Sequence, residues 1–282
     1  MDKHMRKYRF HWTLHPEKNN EWYEGEKNRM SPDTVARDLD INYSLSVSGK
    51  VFSTFNEVKH STSKSLYNPQ LPVYRIWDFG KTSCVLWAQI DRHNRKRILH
   101  ECILENTDTF EQVHVTLAES HKYFPDAYFE DICDPAGAWS KDGLPTSTVD
   151  ILNEAGIYPQ FQRILHIPMK DRKRQGRDLI HKDLQTAPGG EEALLIQVSE
   201  RMNAPGCPIL KAALLGAYSY KKDYSGNITD TIAEMHPFED VVDCLLYLYL
   251  ETHSGGFSPP QARDYRPQSN GYGNDYTHYF GF

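Results

Sequence analysis

The clearest hydrophobic pattern lies in the first half of the chain, where three runs of β-branched and aromatic residues are separated by short turns. The runs cover residues 73–78, 83–91 and 96–105, with turns at 79–82 and 92–95. Runs of this length and composition favour strands, and strands joined by such short turns pair in antiparallel fashion with their neighbours. The pattern therefore predicts a meander of three antiparallel strands.

Further along, apolar residues recur three or four positions apart, which is typical of helices with one buried face. A helix predicted at residues 109–123 follows the meander directly. The other predicted elements are strands at 128–133, 161–167 and 193–198, helices at 147–155, 171–184, 209–217 and 237–250, and a hairpin across 218–232. Ahead of the meander we expect a helix beginning at Ser31, a connector over 41–70 and a short strand at 50–55.

The order of these elements is three strands, a helix, a strand and a second helix, which is the order of a ribonuclease H-like fold. We therefore expect an α/β protein with a ribonuclease H-like mixed sheet, in which parallel strands extend the antiparallel meander and helices flank the sheet. In that arrangement the first strand, the fourth strand and a late helix meet at one end of the sheet.

One carboxylate lies at each of these three places. Asp78 ends the first strand, Asp134 ends the fourth just before a proline, and Asp243 lies in the last helix, on the same face as Asp240 and His236. Carboxylates suit Mg²⁺ or Mn²⁺, and two such ions about 4 Å apart can activate water and stabilise the leaving oxygen of a phosphodiester. The sequence therefore predicts a two-ion site and a metal-dependent nuclease.

Most of these acids also have a structural explanation. Asp78 and Asp134 stand where turn residues are common. Glu239 and Asp240 favour the first turn of a helix because they complement its dipole. Asp243 is harder to explain in this way, since it lies among the apolar residues of its helix. The metal site is the preferred interpretation because the fold brings these positions together.

A basic segment at residues 163–182 carries seven Lys or Arg against two Asp, within a chain whose formal net charge is −6. A solvated helix face and a phosphate-binding surface both fit this pattern. A local patch can bind DNA backbone whatever the total charge of the protein. The candidate DNA-binding residues are Lys170, Arg172, Lys173, Arg174 and Arg177.

Other chemistry is not supported by the spacing of the residues that it needs. Gly80, Lys81 and Thr82 resemble the end of a phosphate-binding P-loop, but Arg75 stands where that loop needs glycine, so we expect no ATPase activity. The five cysteines form no C-x-x-C pair, which argues against zinc and disulfides and fits a reducing compartment. No apolar run is long enough for a membrane span, so we expect a soluble intracellular protein.

Four segments resemble the large terminase subunit of tailed bacteriophages, in the order in which that family has them. They are residues 31–52, the motif Trp77-Asp78-Phe79-Gly80, the motif Asp134-Pro135-Ala136-Gly137, and residues 236–247. The resemblance covers about residues 8–253 and implies the C-terminal nuclease domain, which cuts concatemeric viral DNA into headful lengths. By motif position, it implies that Asp78, Asp134 and Asp243 are the catalytic metal ligands. Asp240 stands where some relatives carry an accessory ligand, often His.

The resemblance also implies a domain organisation. Residues 1–70 would be the end of the ATPase motor and its linker, and residues 71–253 the ribonuclease H-like nuclease domain. Residues 254–282, rich in Gly, Pro, Ser, Asn, Gln and Tyr, are expected to form a disordered tail. Large terminases carry an N-terminal ATPase motor that this sequence lacks, so we expect a fragment.

The partners that the resemblance implies are double-stranded DNA, the portal protein, the small terminase subunit and the missing ATPase motor, all in the host cytoplasm. Two alternatives stay open. One is a Holliday-junction resolvase or another ribonuclease H-like nuclease. The other is a non-catalytic DNA-binding or docking module whose acids are structural.

Overall fold

A mixed sheet of six strands forms the centre of the protein. The computed structural model describes residues 12–27, 49–139, 146–199, 203–224 and 227–253. Its strands are β1 Ser61–Thr62, β2 Val73–Asp78, β3 Thr82–Ile90, β4 Lys96–Glu105, β5 Phe129–Cys133 and β6 Leu194–Gln197, side by side in the order β1-β6-β4-β3-β2-β5. The predicted antiparallel meander is β2, β3 and β4. β5 pairs parallel with β2, and β6 pairs parallel with both β4 and β1.

The described residues also form eight α-helices. They are α1 Asn20–Lys27, α2 Glu57–His60, α3 Thr109–Tyr123, α4 Thr148–Glu154, α5 Gln162–Leu165, α6 Met169–Asp183, α7 Pro208–Ala212 and α8 Phe238–His253. A π-helical turn, Ala213–Ala217, continues α7. The predicted hairpin is present as β7 Tyr220–Lys222 and β8 Ile228–Ile232.

The central strands direct alternate side chains into two hydrophobic cores, one on each face of the sheet. Ile76 of β2 lies in the core that contains Val242 of α8, and α5, α6 and α7 contribute to the same core. Trp77 lies in the opposite core, with Val113 of α3 and Leu152 of α4. Because helices cover both faces, β2 is buried along its whole length, as expected for a strand in the middle of an α/β sheet.

Side-chain caps fix where the two helices of the second core begin. The carboxylate of Asp108 accepts the backbone N–H of Glu111 at 2.8 Å, at the start of α3. At the start of α4, the hydroxyl of Ser147 accepts the N–H of Asp150, whose carboxylate accepts the N–H of Ser147 in return. Such caps satisfy backbone donors that have no partner inside the helix. The helices predicted for these two segments are confirmed.

The strand predicted at residues 161–167 is wrong, because this segment forms the short helix α5. The apolar residues of this segment favour a strand, but two of its backbone N–H groups donate to a side chain of another helix. The buried carboxylate of Glu251 on α8 accepts the N–H of Arg163 at 3.1 Å and that of Ile164 at 3.2 Å. A carboxylate at the N-terminus of a helical turn stabilises that turn, and here it outweighs the local preference.

The region before the meander also differs from the prediction. In place of a strand at 50–55, Lys50 forms one isolated bridge with Ser219, and the short elements α2 and β1 follow. The helix expected at Ser31 and the tail 254–282 lie outside the described residues. Within the described ranges, no helix is both long and apolar enough to span a membrane.

Candidate metal centre

Two of the predicted acids lie side by side at the ends of neighbouring strands. β2 and β5 are parallel, with Trp77 opposite Cys133. The next residue is Asp78 after Trp77 and Asp134 after Cys133, so the two acids are neighbours. The backbone N–H of Asp134 donates to the carbonyl of Trp77 at 3.1 Å, which extends the pairing to this point. The side chain of Gln112 donates to the carbonyl of Asp78 at 3.2 Å. Backbone contacts on both sides therefore fix the position of Asp78.

A tight turn after Asp134 sets the direction of that side chain. Its carboxylate accepts the N–H of Ala136 at 3.1 Å and begins the 3-10 turn Pro135–Ala138. Within this turn Gly137 packs against the ring of Phe79, so closely that an added β-carbon would lie 2.6 Å from Phe79 Cε2. The two motifs that resemble the large terminases thus meet here, with glycine required by the contact.

Helix α8 brings two further acids to the same end of the sheet. Asp240 and Asp243 both lie on this helix, and both are buried. The hydroxyl of Tyr247, one turn further along the helix, lies close enough to Asp134 to lower the pKa of that carboxyl. This contact connects the last helix to the end of β5. No pattern in the sequence indicates a role for Tyr247, because its partner lies far away along the chain.

The four acids are close enough to affect one another electrostatically. Burial raises the pKa of Asp78 well above its usual value, and the charges of Asp243, Asp134 and Asp240 raise it further. Burial is also the main cause that raises the pKa of Asp243 and of Asp134. Carboxylates that resist ionisation in this way favour a nearby cation, which would stabilise their charged forms.

One amine already lies among these acids. Lys173 of α6 places its Nζ 2.6 Å from Oδ2 of Asp243. Desolvation lowers the pKa of Lys173, but the attraction of Asp243 outweighs it, so the pKa lies above the usual value of a lysine. The same ammonium lowers the pKa of Asp78 and of Asp134. Lys173 is also one of the predicted DNA contacts, and in the structure it is exposed and paired with Asp243.

The donor set fits a divalent cation. Oδ1 of Asp243 is buried and has no hydrogen-bond partner among the described residues. The acids around it offer carboxylate oxygens, which are the ligands that Mg²⁺ and Mn²⁺ prefer. Asp78, Asp134 and Asp243 would hold such an ion, with Asp240 beside them.

A tighter group of potential ligands lies at the start of α8. The side chains of His236, Glu239 and Asp240 place one ligand atom each within 4.8 Å of one another. His236 was predicted on the same helical face as Asp240, but it lies in the turn before α8, and from there its Nδ1 lies 2.8 Å from Asp240 Oδ2. Asp240 therefore belongs to this group as well as to the acidic site, and Glu239 joins it without having been predicted as a ligand.

Solved structures with this arrangement of helices and strands are found among the large terminases. The large terminase of a thermophilic bacteriophage, in complex with ADP, has a TM-score of 0.53 at 13% identity, over 86% of this chain and 54% of that one. The P22 large terminase nuclease domain has a TM-score of 0.50 at 14% identity, over 77% of this chain and 97% of that one. The chain has the fold of the large terminase nuclease domain.

The predicted ribonuclease H-like mixed sheet is thereby confirmed. This chain spans about half the length of the large terminase from the thermophilic phage, and nearly all of the P22 nuclease domain is covered. No protein-family model matches the sequence, and no curated protein matches it.

The other candidate DNA-binding residues lie along α6 in different surroundings. Lys170 is exposed, and Arg174 is an exposed partner of Asp171 at 2.9 Å. Arg172 donates to the backbone carbonyl of Ile167 at 3.0 Å and lies near enough to lower the pKa of Asp134. Arg177 lies near enough to lower the pKa of Tyr218, the residue that leads into the hairpin. The positive residues of α6 thus flank the acids of α8 and β5.

Proposed function

We propose that this protein is a metal-dependent endonuclease that hydrolyses phosphodiester bonds of double-stranded DNA. The observation that carries the proposal is the convergence of Asp78, Asp134 and Asp243 at one end of the sheet. Burial and mutual repulsion raise the pKa of Asp78, and Asp243 keeps one oxygen without a partner among the described residues. The fold shared with large terminase nuclease domains supports the same reaction class.

In this proposal the ligands are Asp78, Asp134 and Asp243, with Asp240 as an accessory ligand, and Mg²⁺ or Mn²⁺ is bound as a pair of ions. When bound, two divalent ions supply an activated water molecule and stabilise the leaving oxygen of the phosphodiester. The chain supplies the positions. Asp78 is fixed by the backbone pairing of β2, and Asp134 by the N–H of Ala136.

DNA would reach these acids along α6. The acidic site repels phosphate, so binding needs positive charge beside it. Lys170, Arg172, Arg174 and Arg177 offer that charge on the helix that also carries Lys173. Contacts of this kind go to the phosphate backbone and carry no sequence information. We therefore propose that the protein binds duplex DNA with little dependence on sequence.

The biological setting follows from the similarity to large terminases. We propose that the chain acts in viral DNA packaging, where it cuts concatemeric DNA with the portal protein and the small terminase subunit as partners. An ATPase motor would be supplied outside this chain, because the Gly80-Lys81-Thr82 segment lies at the end of β2 and not in a phosphate-binding loop. The setting would be the host cytoplasm, and residues 71–253 would be the nuclease domain.

Incubation of supercoiled plasmid with the purified protein tests the activity. Mn²⁺ or Mg²⁺ should support nicking and linearisation, and EDTA should prevent both. Asp78→Asn, Asp134→Asn and Asp243→Asn should each abolish cutting. Glu111→Gln, an exposed carboxylate on α3 at the opposite face of the sheet, should cut at the wild-type rate.

The same assay distinguishes the alternatives. A strong preference for four-way junctions over linear duplex would indicate a resolvase. Duplex binding without cleavage in either metal would indicate a docking module with structural acids. Wild-type cutting by Asp243→Asn would remove that residue from the ligand set and make Asp240 the candidate.

A further inference from the structure

The ion pair between Lys173 and Asp243 joins the surface of the protein to its buried acids. The side chain of Lys173 is 58% exposed, whereas that of Asp243 is 12% exposed. Within the described residues, Lys173 is the only Lys or Arg side chain that forms an ion pair with one of the four acids. Its ammonium holds one oxygen of Asp243, while the other oxygen has no partner in the described part of the chain. The ion pair therefore joins a largely exposed ammonium to a buried carboxylate, and it is not part of a larger network of ion pairs among the described residues.

The packing of two helices fixes this pair. Lys173 and Gly176 are one turn apart on α6, and Asp243 and Leu246 are one turn apart on α8. Gly176 lies directly against Leu246, and Lys173 directly against Asp243. The two contacts follow the same order along both helices, so α6 and α8 run side by side in one direction. Lys173 thus reaches Asp243 from a helix whose position is already determined.

We propose that Lys173 is a positioning residue that holds Asp243 in the metal-free protein and exchanges this carboxylate for a DNA phosphate when divalent metal binds. The inference rests on the proposed metal-dependent nuclease function. It adds a coupling between the binding of divalent metal and the binding of DNA, because the same ammonium cannot pair fully with Asp243 and with a DNA phosphate at the same time.

The chemistry of lysine suits such an exchange. An ammonium on a flexible four-carbon stem can swing between two partners, and more than half of this side chain is in solvent. A divalent ion carries twice the charge of the ammonium and takes the same carboxylate oxygens. The neighbouring arginines are engaged differently: Arg172 donates to the carbonyl of Ile167, and Arg174 pairs with Asp171. Neither arginine needs to leave an acid of the site before it can contact DNA.

Calorimetric titration of Mn²⁺ into the metal-free protein, without DNA, tests the first part of the proposal, which is that Lys173 competes with the metal for Asp243. Lys173→Met should bind Mn²⁺ about three- to tenfold more tightly than wild type, because the competing ammonium is gone. Lys173→Arg should bind close to the wild-type value. Lys182→Gln removes the same charge at an exposed position further along α6, and should change affinity less than about twofold. Circular dichroism checks that each variant folds.

Duplex binding with and without Ca²⁺, an ion that also takes oxygen ligands, tests the second half. A gel after each titration confirms that the DNA is intact. Without divalent ion, Lys173→Met should bind DNA within about twofold of wild type, since Lys173 is engaged with Asp243. With Ca²⁺, it should bind about three- to tenfold more weakly, and its log–log salt slope should fall by about 0.9.

Each outcome decides a different point. Equal or weaker Mn²⁺ binding by Lys173→Met, or an equal gain in Lys182→Gln, would overturn the competition. The same loss of DNA affinity with and without Ca²⁺ would make Lys173 a permanent phosphate contact and overturn the exchange. If neither wild type nor Lys173→Met binds Mn²⁺, the proposed function fails, and this inference fails with it.

Discussion

Gly176 of α6 and Leu246 of α8 lie so close that a β-carbon added to Gly176 would be 2.7 Å from Cδ2 of Leu246 and 3.2 Å from its Cβ. The glycine is buried, and its absence of a side chain lets the two helix backbones approach. One turn earlier on each helix are Lys173 and Asp243. The distance between α6, which carries Lys173, and α8, which carries Asp243, therefore depends on the contact of Gly176 with Leu246.

Gly176→Ala should destabilise the protein although alanine is the better helix former. The gain in helix propensity is about 1 kcal/mol, whereas overpacking of a close contact costs about 1–3 kcal/mol. Thermal unfolding should show a lower Tm than wild type. Leu246→Ala is itself destabilising because Leu246 is buried in the core, but in the double variant the total loss should be smaller than the sum of the two single losses.

Gly25→Ala is the matched control, since no atom lies within 4 Å of an added β-carbon at that helical position. It should leave Tm unchanged or slightly raised. An unchanged Tm in Gly176→Ala would mean that Leu246 turns aside at little cost and that the contact does not fix the helix separation.

Asp78→Asn should separate activity from stability. Loss of the carboxylate should reduce Mn²⁺-dependent plasmid cutting by more than about 100-fold, because residues that merely orient a metal ligand already contribute about 10–100-fold. Without metal the variant should be more stable than wild type by about 1–2 kcal/mol, since a buried charge among like charges is removed. Addition of Mn²⁺ should raise the Tm of wild type and not that of the variant.

The stabilising effect of Asp78→Asn should also depend on pH. Burial and the other acids hold the folded-state pKa of Asp78 above its unfolded value of about 3.9. The folded protein therefore binds this proton more tightly, and its free energy of unfolding falls as pH rises from about 4 through the folded pKa. Urea unfolding at several pH values should show little difference between variant and wild type near pH 4 and a growing difference above it. A constant difference would contradict the raised pKa.

Asp131→Asn should destabilise the fold from within the second core. The carboxylate of Asp131 accepts two bonds from the guanidinium of Arg75, both 2.7 Å, and one from the indole N–H of Trp77, also 2.7 Å. Both charged residues are buried, so the change leaves the charge of Arg75 without its partner. We expect a loss of about 3–5 kcal/mol in the free energy of unfolding.

Replacing both partners gives the control for that prediction. Arg75→Met with Asp131→Leu removes the pair without leaving a buried charge, and should be more stable than Asp131→Asn alone. It should still be less stable than wild type, because the indole N–H of Trp77 loses its acceptor. A double variant that is less stable than Asp131→Asn would show that the pair itself contributes most of the stability.

Lys170→Ala with Arg174→Ala should weaken duplex binding for every sequence tested. Both side chains are exposed, and neither contacts an acid of the site. Removing one phosphate-binding side chain should lower the log–log salt slope by about 0.9. Lys182→Ala, an exposed lysine roughly 18 Å further along the same helix, is the control and should bind normally. An unchanged slope in the double variant would show that DNA approaches from another side.

Elements whose stability is local could be predicted from the sequence. β2, α3 and α8 follow from their own apolar patterns. The convergence of Asp78, Asp134 and Asp243 followed from the order of the elements, because the ends of parallel strands meet at one end of a sheet. These predictions needed no knowledge of distant contacts.

Features that depend on distant partners could not be predicted. The segment 161–167 is helical because Glu251 binds its backbone, and nothing near that segment indicates Glu251 as the partner. The contact between Lys173 and Asp243 is likewise invisible in the pattern, since α6 alone resembles a solvated basic helix. β1 has two residues, which is too short for any periodic signal.

The order of the acids along the chain has a consequence for the newly made protein. A ribosome adds about 5–20 residues per second, so Asp243 is synthesised roughly ten to thirty seconds after Asp78. During that interval the nascent chain can pair β2 with β3 and β5, but α8 does not yet exist. The chain therefore carries an incomplete set of acids until almost the end of its synthesis. Under the proposed function, a half-made polypeptide would lack the metal ligand that α8 supplies.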